Sequence, residues 1–110
     1  MNDEDNETWL LDVGAGIVQK KARVGYSALS PVERLTYCLW VADYGMRNAG
    51  DLVTARDLHS AFFEDARSAA IELGLARTRE AFSLSVTDLE HRYFALFDSL
   101  CREIRTSQTE

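Results

Sequence analysis

One stretch, Ser30 to Gly50 with the sequence SPVERLTYCLWVADYGMRNAG, restricts the possible folds more than any other. Ser30 is placed as an N-cap, Pro31 suits the first helical position, where no backbone N–H is needed, and Glu33 can reach back to close a capping box. The helix therefore starts at Pro31. Leu35, Cys38, Leu39, Ala42 and Met46 form one apolar stripe, and Tyr37, Trp40, Val41 and Tyr44 a second, so little of the circumference is polar. A helix of this kind has to be covered on most sides and belongs in the middle of a fold.

The neighbouring segments supply the cover with the same period. In TWLLDVGAGIVQKKARVGYSAL, from Thr8, the residues Trp9, Leu10, Val13, Ile17 and Val18 recur at helical spacing, although Gly14 and Gly16 each weaken a helix by about 1 kcal/mol. In DLVTARDLHSAFFEDARSAAIELGLA, Leu52, Ala55, Leu58, Phe62, Ala66, Ala69 and Leu73 repeat it, with room for a break near Leu58 to Ser60 and with Gly74 placed as a left-handed C-terminal cap. RTREAFSL reads as a short helix. TDLEHRYFALFDSLCREI reads as a long one, with Thr87 as N-cap, Glu90 as its box partner, and Leu89, Tyr93, Leu96, Leu100 and Ile104 turned inward. No segment alternates with period two. The expectation is an all-α fold, a compact bundle of four to five helices.

The chain has 110 residues, of which 46% are hydrophobic and 27% charged, enough for one core and one domain over residues 8–110. Residues 1–7, MNDEDNE, carry four carboxylates and read as a disordered acidic tail. That acidic start is the opposite of a signal peptide's basic region, and the apolar runs are far shorter than the ~20 residues that span a bilayer, so a cytoplasmic location and no membrane contact are expected. Cys38 and Cys101 lie among apolar residues and read as reduced core side chains.

Chemistry is sparse along this sequence. Gly14-Ala15-Gly16 lacks the third glycine of a dinucleotide fingerprint, Gln19 standing there, and no βαβ pattern is present. His59 and His91 form neither an HExxH nor an H-x₃-H pair, and no cysteine pair has zinc spacing, so no metal and no cofactor are expected. His59 could pair with Glu64 or Asp57 as a base, but a lone histidine beside an apolar stripe reads more simply as a packed residue. No nucleophile and base stand in a catalytic arrangement, and the expectation is a protein that is not an enzyme.

A net charge of −6, with twelve scattered basic residues of which only Lys20, Lys21 and Arg23 cluster, excludes direct nucleic-acid binding and admits a basic protein partner. Asp57, Glu64, Asp65 and Glu72 recur at seven to eight residues in one helical segment. On a continuous helix this spacing puts carboxylates about 10 Å apart along one face, although Arg56 and Arg67 border them as on any solvated surface. The turn ADYGMRNAGDL ends a helix: Asn48 and Gly50 tolerate positive φ, and Asp51 can cap the next helix. Tyr44, Arg47, Asn48 and His59 could line a ligand cleft beside it.

Between Leu29 and Phe82 the order of elements resembles a family of small bacterial all-helical proteins of unknown function that includes a DNA-mimic protein. LSPVER resembles its helix start, Asn48 and Gly50 its asparagine-glycine turn, Phe62 and Phe63 its aromatic pair, and Leu73-Gly74 its stop. Ala49 replaces the first glycine of that turn, Asp51 and Leu52 stand where phenylalanine is usual, and Glu64 replaces an asparagine. The resemblance implies a helical fold, a homodimer, no enzymatic activity, and carboxylates displayed as phosphates are on DNA.

The leading expectation is thus a non-enzymatic protein-interaction module presenting Asp57, Glu64, Asp65 and Glu72 to a basic, DNA-binding partner. A small-ligand or enzymatic site near residues 44–59 is the second reading. An immunity or antitoxin-like protein is the third, resting on no particular residue.

Overall fold

The structure, a computed structural model, describes residues 5–108. Among them there are six α-helices and no strand: α1 (Asn6–Val24), α2 (Pro31–Ala49), α3 (Val53–Leu58), α4 (Phe62–Leu73), α5 (Ala76–Ala81) and α6 (Val86–Gln108), with a 3₁₀ turn at Tyr26–Ala28 between the first two. The all-α reading is confirmed, with one helix more than expected. The extra helix arises because the segment after Asp51 breaks at His59, within the stretch where the sequence left room for a break.

Helix α2 is the centre, packing against α1, α3, α4 and α6. Leu35, Cys38, Leu39, Val41 and Ala42 are fully enclosed, and burying each of the larger side chains stabilises the fold by about 1.5–3 kcal/mol. Its start is as the sequence predicts. Ser30 Oγ accepts from the Glu33 N–H at 3.2 Å, Glu33 Oε1 accepts from the Ser30 N–H at 2.8 Å, and Pro31 is the first helical residue. Its second apolar stripe is only half covered: Tyr37 and Val41 are buried, Trp40 is partly so, and Tyr44 is exposed. Gly50 and Gly74 end α2 and α4 with φ of 76° and 71°, the left-handed conformation that a side chain would strain.

Several details differ from the sequence reading. Helix α1 begins before Thr8, because the Asp5 carboxylate accepts from the Thr8 N–H at 2.8 Å and Asn6 and Glu7 join the first turn. Residues 1–4 of the expected tail lie outside the described residues. Leu58 faces solvent, since the helix that would have turned it inward stops there. Ser85, not Thr87, caps α6 by accepting from the Asp88 N–H at 3.1 Å. Phe97 joins the core, while Leu96 stays half-buried.

The two six-residue helices are capped from a distance. Glu90 of α6 accepts from the Leu52 N–H at 2.8 Å at the start of α3. Glu103 of α6 accepts from the N–H groups of Arg77 and Thr78 at 3.0 and 2.8 Å, and from the Thr78 hydroxyl at 2.7 Å, at the start of α5. Helices this short do not persist alone, so α6 both packs against the bundle and terminates its weakest elements. The radius of gyration, 12.8 Å, matches the roughly 13 Å of a folded domain of this length. No helix among the described residues is long and apolar enough to cross a membrane.

Candidate functional site

The break at His59 divides the acids that the spacing aligned. Asp57 belongs to α3, and Glu64, Asp65 and Glu72 belong to α4, so the premise of one continuous helical face does not hold. Asp57 and Glu64 are exposed, with no ion-pair or hydrogen-bond partner among the described residues. Glu72 is exposed too, its carboxylate 3.8 Å from the Arg34 guanidinium. Asp65 turns inward. Its Oδ2 accepts from the Tyr26 hydroxyl at 3.0 Å and lies 2.8 Å from His59 Nε2.

This inward carboxylate organises a polar cluster between the 3₁₀ turn, the α3–α4 link and α4. The His59 ring lies 4.7 Å from the Tyr26 ring and 5.6 Å from that of Tyr37. Burial, with the Cys38 thiol and the Asp65 carboxylate beside it, holds the Tyr26 phenol well above its ordinary pKa, so it stays a donor. Burial pushes the Cys38 thiol up to about 12, which leaves almost no thiolate to attack anything at neutral pH. His59 pairs with Asp65, not with Glu64 or Asp57. The pairing ties Nε2 of the imidazole to the α4 carboxylate.

The four residues read as a cleft do not converge. Tyr44 is exposed and stacks on Trp40, centroids 5.9 Å apart and rings 16° from parallel. Asn48 donates its side-chain amide to the Tyr44 carbonyl at 2.7 Å, within its own helix. Arg47 points toward α6, with its guanidinium 5.2 and 4.9 Å from the Phe94 and Phe97 rings and its Nε 3.0 Å from both oxygens of Asp43. It lines a hollow of about 280 Å³ with Glu7, Phe94 and Asp98. His59 lies in the Tyr26 cluster, against Asp65 and Tyr37.

Two features escaped the sequence reading. Asp43, 4% exposed, accepts from the partly exposed Arg47 and also from the buried Tyr93 hydroxyl at 2.7 Å, a three-residue network between α2 and α6. Its only sequence signal is a carboxylate within an otherwise apolar helical face. The second is a groove between α5 and α6 made of two hollows of about 560 and 690 Å³ that share Arg77 and Ser99. Arg79, Arg92 and Arg102 also line it. Asp88 and Asp98 stand one turn before Arg92 and Arg102, a spacing that reads as ion pairing, yet no carboxylate approaches any of the four arginines within 4.0 Å among the described residues.

No group of three or more metal-ligating side chains is assembled among the described residues. Compared with family models, with curated proteins and with solved structures, the chain finds no match.

Proposed function

We propose that the protein is a non-enzymatic interaction module whose exposed acids on α3 and α4 meet a basic protein partner. One observation carries this reading: Asp65 is held by Tyr26 and His59 and Asp43 by Tyr93 inside the fold, while Asp57 and Glu64 stand exposed with no partner among the described residues. Glu72, held only at 3.8 Å by Arg34, adds a third outward carboxylate. Asp65 contributes to the fold and not to that surface. Carboxylates on rigid helices attract a basic surface at long range and fix its orientation at short range. The resemblance of residues 29–82 to a family that includes a DNA-mimic protein supports choosing, as that partner, a protein that normally holds DNA. A ligand or enzymatic site at Tyr44, Arg47, Asn48 and His59 draws no support from side chains tied to separate neighbours.

The test is retention of a basic DNA-binding protein on the immobilised chain, with and without Asp57→Asn and Glu64→Gln. Loss of retention on neutralisation, together with weakening by added salt, is the expected result. Retention indifferent to both changes would overturn the reading.

A further inference from the structure

Independently of that surface, the α5–α6 groove presents the opposite charge. On α6 its wall runs through Arg92, Leu96, Ser99, Glu103 and Thr106, steps of three and four residues that lie on one helical face and extend about 21 Å at 1.5 Å per residue. On α5 the wall carries Arg77, shared by both hollows, and Arg79. Among the described residues the carboxylates that line it are Glu80 and Glu103, and Glu103 is occupied by the Arg77 and Thr78 N–H groups and the Thr78 hydroxyl. Among those residues, four arginines against two carboxylates leave a local excess of two positive charges on a chain whose net charge is −6.

The groove is also partly apolar. Leu73, Leu75, Leu84 and Leu96, each half-buried, line it beside the buried Leu100. An occupant has to satisfy both sets of side chains. Guanidinium groups match carboxylates and phosphates in paired hydrogen bonds, and half-exposed leucines favour apolar side chains. Among the described residues no aromatic lines either hollow, so nucleobases find no stacking platform there. The length accommodates about six residues of extended peptide at roughly 3.3 Å each.

We propose that the groove between α5 and α6 is a docking site for an acidic peptide segment with interspersed apolar side chains, its carboxylates taken by Arg77, Arg79, Arg92 and Arg102. An oligophosphate would use the arginines and leave the leucines uncovered. The peptide uses both.

Fluorescence anisotropy on the full chain tests this with three labelled peptides of about seven residues: alternating Glu and Leu, alternating Glu and Ser, and alternating Lys and Leu. The Glu-Leu peptide is expected to bind saturably. Its affinity should fall roughly tenfold in Arg77→Gln/Arg102→Gln and, separately, in Arg79→Gln/Arg92→Gln, and stay unchanged in Arg23→Gln on α1. Far-ultraviolet circular dichroism checks the fold of each variant, and the two double variants remove different arginines, so misfolding of one leaves the other to decide. The Glu-Ser peptide should bind more weakly and the Lys-Leu peptide not at all. Absence of Glu-Leu binding, binding indifferent to the arginine substitutions, or equal binding of Glu-Ser would overturn the proposal. Tripolyphosphate binding more tightly than Glu-Leu would overturn it in favour of a simple anion site.

Discussion

Tyr93 donates its hydroxyl to Asp43 Oδ1 at 2.7 Å, joining two helices across fifty residues of sequence inside the apolar centre of the bundle. Burial, then the Asp43 charge, raises the Tyr93 phenol well above its ordinary pKa, so at neutral pH it is a donor. For Arg47, burial works against the charge, but Asp43 outweighs it and holds the guanidinium more firmly protonated than usual. The carboxylate thus has a donor on each side. Removing one leaves part of a buried charge unsatisfied.

Tyr93→Phe is accordingly expected to cost about 1.5–3 kcal/mol, the range for a hydrogen bond to a charged group, with no change in the denaturant slope. Asp43→Asn keeps the shape and loses the charge that Arg47 faces, so it should cost at least as much. Guanidinium unfolding curves of the two variants and the parent measure this. A Tyr93→Phe loss under about 0.5 kcal/mol would mean that the hydroxyl contributes nothing net there.

The two cysteines lead to a different measurement. Cys38 and Cys101 are fully buried, and burial pushes both thiols up to about 12. With neither sulfur accessible nor ionised, a disulfide-exchange reagent should label no thiol in the native protein at pH 8 and two after denaturation. The labelling rate of the native protein then reports opening of the fold. Fast native labelling of either residue would show that its side of α2 or α6 opens far more readily than the packing implies.

Glu33 provides a pH dependence whose sign is fixed. The Ser30 N–H, and then the Lys20 ammonium at 2.9 Å, hold its carboxyl below the usual carboxylate range. A folded-state pKa below the unfolded one adds stability above the unfolded value, and that stability is lost as pH falls through the folded value. Glu33→Gln should therefore cost about 0.5–2 kcal/mol at pH 7, with the gap closing as the pH falls below the usual carboxylate range. Thermal unfolding of both proteins across that range decides it. A gap that stays constant with pH would show that the charge of Glu33 adds nothing beyond its hydrogen bond.

What could be read from the sequence was local. Ser30, Pro31 and Glu33 lie within four residues, Gly50 and Gly74 act on the turn they occupy, and the inward faces of α2 and α6 come from period alone. The rest depends on partners that the period does not name. Glu90 has the spacing of a box partner for Thr87, but Leu52 claims it from thirty-eight residues away. Asp65 has the spacing of a surface acid, but the break at His59 brings an imidazole onto it and the 3₁₀ turn after α1 brings the Tyr26 phenol. Arg92 and Arg102 of the groove look neutralised by Asp88 and Asp98 one turn before them, because helical spacing says which residues are neighbours and not which way long side chains extend.

Gly14 and Gly16 look equivalent in the sequence, two unfavourable residues in one helix, and the structure separates them. Gly14 is buried, and a methyl group there would run into the indole of Trp40, whereas a methyl at Gly16 meets nothing within 4 Å. Alanine improves an exposed helical glycine by up to about 1 kcal/mol, so Gly16→Ala should stabilise. Gly14→Ala gains the same propensity and then has to displace the Trp40 ring, which stacks between Tyr37 and Tyr44 at centroid distances of 6.2 and 5.9 Å and is not free to rotate away cheaply. Overpacking of this kind costs about 1–3 kcal/mol, so the net effect should be destabilising. Chemical unfolding of the two variants should move in opposite directions from the parent. A Gly14→Ala protein as stable as Gly16→Ala would mean that α1 does not press its glycine against Trp40, and the packing of α1 on α2 would have to be redrawn.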